Sequence, residues 1–374
     1  MDFTFGIEEE FFVVHERTLL LEPQAHERFI ARADELARGG IHPELLQCQI
    51  ETATPVCRDF GEARSHLRRL RSGLARAGNE FNLSILAAGT HPTADWPDQL
   101  QTEKERYDQV VNELQLLAFR NLVCGLHVHV GLADDEARID VMRRSIPFLP
   151  VLLALSCSSP FWRGMDSGFA SYRLTSYEEL PRTGLPPLLD SWGEYETYIE
   201  VLRRARIIDN ASYIWWALRP SHKYPTLELR IADACTRLDD SLTIAALFQA
   251  LVRTLALDRT INAGLTSPER ALAKENKWRA QRYGLAAQLL DPFGEQASIS
   301  AADAARRMVE LIRPHARALG TEAQLAGVDR IIAEGTSADR QMTIYRQALD
   351  NGLSRPNALA QVKAWIQEET VANC

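Results

Sequence analysis

The sequence lacks most of the features that usually announce a function. It has no block of like charge: 42 basic residues stand against 50 acidic ones, for a net charge of -8. A nucleic-acid or anionic-membrane surface therefore has no electrostatic support. Long hydrophobic runs are missing too. The longest, Ile146 to Leu155, is cut by Pro147 and Pro150, and at about 10 residues it falls short of the ~20 that a membrane-spanning helix needs. The N-terminal Met-Asp-Phe-Thr-Phe-Gly-Ile-Glu-Glu-Glu has neither the basic stretch nor the apolar core of a signal peptide. No Cys-x-x-Cys pair occurs among Cys48, Cys57, Cys124, Cys157, Cys235 and Cys374, so reduced, buried thiols in a cytoplasmic protein are expected. There is no P-loop, no Gly-x-Gly-x-x-Gly after a strand, no Gly-x-Ser-x-Gly elbow and no His-Glu-x-x-His. If a nucleotide binds, metal ions and arginines must hold its phosphates. Lysine supplies only five of the basic residues, a bias of composition that carries no mechanism. What remains is small-molecule chemistry on a chain of 374 residues, 46% hydrophobic, long enough for a large core.

Strand-like and helical patterns alternate through the first two-thirds. Thr4 to Val14 alternates Phe, Ile and Val with other residues, the mark of a half-buried strand. Leu45 to Thr54, Ser84 to Gly89, Val123 to Leu132, Tyr213 to Arg219 and Thr226 to Ala232 read likewise. Helical spacing covers Gln24 to Ala37, Glu62 to Phe81, Leu100 to Leu122, Ile139 to Leu155 with a kink at its prolines, and Trp192 to Ile208. After Asp239 the pattern is helical throughout, with Asp240 or Ser241, Ser267 and Ser300 as expected N-caps. This predicts an α+β fold, one catalytic domain over residues 1–374. Its sheet-containing core spans residues 1–260, and a helical region, residues 261–374, packs on it. Ser158 to Ser191 reads as neither helix nor strand and is longer than a structureless connection usually runs; its arginines and aromatics suggest an active-site lid.

A coincidence of parity locates the chemistry. Residues two apart on a strand share a face. Glu8 and Glu10 oppose Ile7 and Phe11; Gln47, Gln49 and Glu51 oppose Cys48 and Ile50; His127 and His129 oppose Leu126, Val128 and Val130; Glu228 and Arg230 oppose Leu227, Leu229 and Ile231. In one sheet, these strands would gather four carboxylates, two imidazoles and a guanidinium on one face. Such carboxylates repel one another unless cations neutralise them, and an oxygen-rich set with imidazole favours Mg²⁺ or Mn²⁺. Glu8, Glu10, Glu51, His127, His129 and Glu228 are thus the candidate metal ligands. Singly, a His-x-His pair or an acidic triplet is more often a solvated surface than a site.

The segments Phe5-Gly-Ile-Glu-Glu-Glu10, Gln49-Ile-Glu-Thr-Ala-Thr-Pro55, Gly125-Leu-His-Val-His-Val-Gly131, Ser171-Tyr-Arg173, Pro181-Arg-Thr-Gly-Leu-Pro-Pro187 and Thr226-Leu-Glu-Leu-Arg230 occur in this order. They resemble the type 2 glutamate–cysteine ligases, and more narrowly the bacterial carboxylate–amine ligase branch with weak glutamate–cysteine ligase activity. The resemblance implies a glutamine-synthetase-like fold, a curved six-stranded antiparallel sheet with its active site on the concave face and helices on the convex one. It also implies an ATP-dependent ligase in which Glu8, Glu10, Glu51, His127 and Glu228 hold Mg²⁺ around the ATP phosphates. His129 lies where relatives vary, and Gln47 stands where some carry a further acid. Arg230 would contact the transferring phosphoryl group, with Glu51 beside it as the other catalytic residue. Arg173 and Arg182, from the lid, would reach phosphate or substrate carboxylate. The expected partners are an amino-acid carboxylate and an amine, glutamate and cysteine being a plausible pair; relatives suggest a homodimer. A guanidino phosphotransferase on the same scaffold, a metal-dependent hydrolase and an idle nucleotide-binding protein remain open alternatives at this point.

Overall fold

The structure, a computed structural model, describes residues 2–22 and 27–372. Among the described residues the strands are β1 (Phe5–His15), β2 (Ile41–Pro43), β3 (Gln49–Ala53), β4 (Leu83–Leu86), β5 (Gly125–Gly131), β6 (Phe161–Trp162), β7 (Met165–Asp166), β8 (Leu218–Pro220), β9 (Thr226–Asp233), β10 (Gln288–Leu290) and β11 (Ser298–Ser300); the last two form an antiparallel hairpin within the stretch expected to be wholly helical. A seven-stranded sheet runs β2-β3-β1-β5-β9-β8, with β4 pairing the far end of β1. Every pairing in it is antiparallel. The seventh strand, β2, has only three residues, too few for alternation to show in a sequence. The expected strand at Tyr213 to Arg219 shortens to β8, because Asn210 caps a 3₁₀ turn over Ala211–Tyr213.

Among the described residues the helices are α1 (Glu27–Ala37), α2 (Phe60–Phe81), α3 (Glu105–Leu114), α4 (Leu116–Arg120), α5 (Asp135–Ser145), α6 (Leu149–Ser156), α7 (Arg173–Tyr177), α8 (Trp192–Arg204), α9 (Leu238–Leu257), α10 (Ser267–Tyr283), α11 (Ala301–Leu319), α12 (Ala326–Glu334), α13 (Ser337–Asp350) and α14 (Arg355–Val371). The expected helix start at Gln24 lies outside the described residues, as does Cys374. Asp59 starts α2 by accepting the amides of Gly61 and Glu62, and Asn82 ends it in a left-handed conformation. The expected helix Leu100 to Leu122 breaks into α3 and α4 at Gln115, whose φ is +50°. Thr266, not Ser267, caps α10, through a reciprocal bond with Glu269. Ser300 caps α11 as expected.

The helix α9 is long and apolar enough to cross a membrane by composition, yet α5, α11, α12 and β5 pack around it. Its apolar residues serve the core. One hydrophobic cluster extends from Phe3 to Ile366, drawing in α10 to α14, while Phe11, Val13, Ile50, Phe29 and Leu74 form a second beneath α1 and α2. Cys48, Cys57, Cys124, Cys157 and Cys235 are free and buried.

Residues 158–191 differ from expectation. Instead of an open lid, their first half is a strap anchored in the interior at both ends: Ser158, Ser159, Ser171 and Arg173 are buried, while Arg163, Met165 and Asp166 of the β6–β7 hairpin between them are exposed, and α7 follows. Lys277 on α10 pairs with Glu178, and the Gln281 carbonyl accepts the amides of Ala170 and Ser171.

Behind the sheet, Glu9 points into the core. Arg71 on α2 grips its carboxylate with two bonds of 2.6 and 3.0 Å, and Ser241 on α9 donates a third of 2.6 Å. The same guanidinium donates to the carbonyls of Cys235, Thr236 and Thr370. Removing one partner leaves a buried, unpaired charge. Arg71→Ala should therefore lower stability by about 3–5 kcal/mol, read from urea unfolding midpoints; a loss below about 1 kcal/mol would contradict this.

Candidate active site

The ladder sets the site's geometry. On the cavity side of the sheet, His127 lies opposite Glu8, Glu51 opposite Glu10, and Glu228 opposite both His129 and Arg219. These side chains line a cavity of about 1000 Å³. Three clusters follow, each with ligand atoms within 4.8 Å of one another: Glu8, His129 and Glu228; Glu8, Glu51 and His127; Glu10, Glu44 and Glu51. Glu8 and Glu51 are each shared by two clusters. His127 Nδ1 is 3.3 Å from Glu8, whereas its Nε2 is buried with no hydrogen-bond partner, 3.7 Å from Glu10. Thr226 fixes the His129 ring at Nδ1, 2.9 Å away, leaving Nε2 3.4 Å from Glu8.

The carboxylates divide by their neighbours. Burial opposes ionisation of Glu228, but Arg219 and Arg230 outweigh it and hold that carboxyl well below its ordinary range. Arg219 supplies a fork of 2.8 and 3.0 Å, and Arg230 Nη1 binds the same carboxylate. Burial also opposes ionisation of Glu8, yet hydrogen bonds from His127 and His129 pull it down. Glu10 is relieved only in part, by Arg173, the Gly125 amide and Arg230, and Glu51 stands among carboxylates. Burial and the charge of Glu44 push Glu10 up to about 7; burial, with Glu8, Glu44 and Glu10 nearby, pushes Glu51 well above the usual range. Burial and Arg230 lower His127 to about 4, so it is a neutral imidazole at neutral pH.

A bulge aims the arginines. Between Leu126 and Val128 on β5 the partner advances from Ala232 to Leu229, so β9 carries one extra residue beside Arg230. The Arg230 carbonyl accepts both terminal nitrogens of Arg173 at 3.3 Å. Arg230 Nη2 meets the Tyr177 hydroxyl at 3.3 Å. Asp233, three residues along the same strand, accepts from Ser158 N, Ser159 Oγ and Ser171 Oγ at 2.7–2.9 Å, and Ser159 Oγ in turn accepts the Arg173 amide. The ring from Arg230 through Asp233 and the strap back to Arg173 fixes the spacing of the two guanidiniums. Gly125 completes it. A Cβ there would overlap Arg173, and its amide donates to Glu10 at 2.5 Å.

All six expected metal ligands, with Arg173 and Arg230, thus line one cavity. Arg182 does not reach it: its Nε donates to the Tyr213 carbonyl, its Nη2 pairs with Glu113, and its guanidinium lies over Trp215. Gln47 also turns away, to the Gln101 carbonyl; the further acid is Glu44, in the β2–β3 connection. Sequence reasoning missed Glu44, Arg219, Tyr177 and Asp233. Only Asp233, an acid on the apolar parity of β9, left a signal.

The fold is that of glutamate–cysteine ligases. The chain is similar to the solved glutamate–cysteine ligase of Francisella tularensis in complex with AMP, with TM-score 0.71 at 13% identity over 99% of this chain and 89% of that one. It also resembles a bifunctional glutathione synthetase from Pasteurella multocida, with TM-score 0.66 at 15% identity over 98% of this chain and 52% of that one. The chain belongs to glutamate–cysteine ligase family 2, whose profile it matches over residues 4–360. It is 44% identical to the "Putative glutamate--cysteine ligase 2" of Rhodospirillum rubrum over 99% of this chain and 96% of that one. The Paracoccus denitrificans protein of the same name is 43% identical, over 98% and 97%. Family and fold make the chain a carboxylate–amine ligase of the glutamate–cysteine ligase type.

Two outcomes follow for the protein free of divalent cations. Folded Glu10 keeps its proton up to about pH 7, whereas the unfolded carboxyl loses it near its ordinary value. The folded state therefore binds more protons across that interval, and Glu10 makes stability fall as pH rises through it. Glu51→Gln removes a carboxyl whose ionisation burial and its acidic neighbours oppose and should raise Tm at pH 7.5 by at least about 2 °C in calorimetry; a lowered Tm would contradict the repulsion.

Proposed function

We propose that the chain is an ATP-dependent ligase that joins a carboxylate to an amine through an acyl phosphate, with Mg²⁺, or Mn²⁺, as its resident metal. The observation that carries this reading is the set of three overlapping clusters, sharing Glu8 and Glu51, at the foot of Arg230. The donors suit a hard cation: mostly carboxylate oxygens, with one neutral imidazole whose Nε2 lacks any partner. Glu8, Glu10, Glu44, Glu51, His127, His129 and Glu228 would hold it, the last partly engaged by Arg219. When bound, the metal neutralises phosphate charge and withdraws electron density from the phosphorus.

The chain's own residues then position and screen. The substrate carboxylate attacks the γ-phosphorus, the bond to the β-phosphate oxygen breaks, and ADP leaves. The amine adds to the acyl carbon, a proton is lost from nitrogen, and the carbon–oxygen bond to phosphate breaks to leave the amide. No protein nucleophile is required. Arg230 carries the charge developing on the transferred group, held by Glu228 and Tyr177. Arg173, fixed against the Arg230 carbonyl, presents a second cation to phosphate or carboxylate. The AMP in the Francisella tularensis enzyme supports a nucleotide site in this fold.

ADP release should require Mg²⁺, an acid and an amine together; amide cleavage without ATP would overturn the reading. Arg230→Lys should lower kcat by about 10²-fold while the ATP KM changes little, because a point charge cannot replace the guanidinium fork. A defect confined to KM would remove Arg230 from the chemical step. Metal binding must displace protons from Glu10 and Glu51. Mg²⁺ affinity should therefore rise between pH 6 and 8, with protons released, in calorimetry in buffers of different ionisation enthalpy. An affinity that does not change with pH would contradict this ligand set.

A further inference from the structure

An apolar lobe opens off the acidic floor of the cavity. One wall is the inner stripe of α3 and α4, where Val110, Leu114 and Ala118 face the cavity; the other is Tyr177, Leu180 and Trp215. Five of these six are buried by their neighbours, and Trp215 is partly so. The walls are tied at fixed width. Arg120 pairs with Glu179, Ser176 Oγ donates to the Arg120 carbonyl, and Arg182 links Glu113 to the Trp215 ring. Through its hydroxyl, Tyr177 joins the lobe to Arg230. At the lobe's floor, Asn121 lines the cavity just before β5, and its Oδ1 is buried without a hydrogen-bond partner. That oxygen is an acceptor in want of an N–H.

The other end of β5 differs. There Arg219, His222 and Lys223 line the cavity beside His129, and the half-exposed Tyr224 ring stands edge-on to that imidazole. A triphosphate and its base find His222, Lys223 and the Tyr224 ring at that end, Arg219 being engaged by Glu228. The lobe's walls are mainly apolar, with the Asn121 oxygen at the floor and the Gln109–Tyr213 hydrogen bond beside Val110 and Trp215, a lining that suits an N–H borne on an apolar body.

We infer that the lobe holds the side chain of the amine substrate, and that this amine carries an aliphatic or aromatic group larger than the CH₂–SH of cysteine. The inference rests on the ligase reading above. A small polar side chain would leave the walls unfilled, whereas each added methylene gains from burial there.

The test measures ADP release by the whole chain with Mg²⁺, ATP and glutamate or aspartate, against cysteine, serine, leucine, methionine and phenylalanine. At least one of the last three should exceed cysteine and serine in kcat/KM by about tenfold or more. Leu180→Ala and Leu114→Ala should each raise the KM for that amine by about tenfold, with the ATP KM within about twofold of the parent. Cysteine as the best amine would overturn the inference and leave the ligase reading standing. A rise in the ATP KM instead would assign the lobe to adenine and overturn it equally. No ADP with any pair would overturn the ligase reading and the inference with it.

Discussion

Five carboxylates, Glu8, Glu10, Glu44, Glu51 and Glu228, converge in one cavity, and their mutual repulsion is the constraint around which the molecule is built. The chain contains that repulsion unevenly. Glu228 is clasped by Arg219 and Arg230, and Glu8 by two imidazoles. Glu10 and Glu51 are left to repel, and burial makes the repulsion worse. A folded chain retains so unfavourable an arrangement only where something positive arrives to use it. The half of the floor already neutralised by arginine is the half that leads to Arg230, where negative charge would develop.

Holding that floor open demands rigidity behind it. The sheet supplies part, since antiparallel pairing fixes which side chain faces which. The strap from Ser158 to Arg173 supplies the rest. Its two ends are anchored in the interior by three serine bonds to Asp233, and it so delivers Arg173 from a buried foundation. A surface loop carrying the same arginine would spend rotamer freedom at each encounter with substrate; here that freedom is already lost in folding.

How much of this could be read from the sequence depends on whether a residue sits in a regular element. Period-two alternation identified β1, β5 and β9, and with them Glu8, Glu10, His127, His129, Glu228 and Arg230, because a sheet converts parity directly into direction. Glu51 came from the same rule on β3. Glu44 stands in a connection without periodicity, and Arg219 in a strand of three residues, so neither could be assigned a face. Arg182 was misplaced for the same reason: a loop arginine carries no information about where its guanidinium goes, and Trp215 and Glu113 took it. The strap reads as a lid in the sequence because Gly, Pro and Ser mark irregular backbone, and irregular backbone can be buried where serines satisfy it. Antiparallel order came from resemblance to a family and not from the pattern itself.

The run Glu8-Glu9-Glu10 poses a problem of identity, since shifting β1 by a single position would still present a glutamate to the cavity. Such a slip would carry Glu9 forward and drive two charges into the apolar layer. Only the middle acid meets a guanidinium on the hidden side. Arg71 thereby acts as a key that admits one alignment of three equivalent teeth, and the cavity-facing pair owes its orientation to a residue on the sheet's far side.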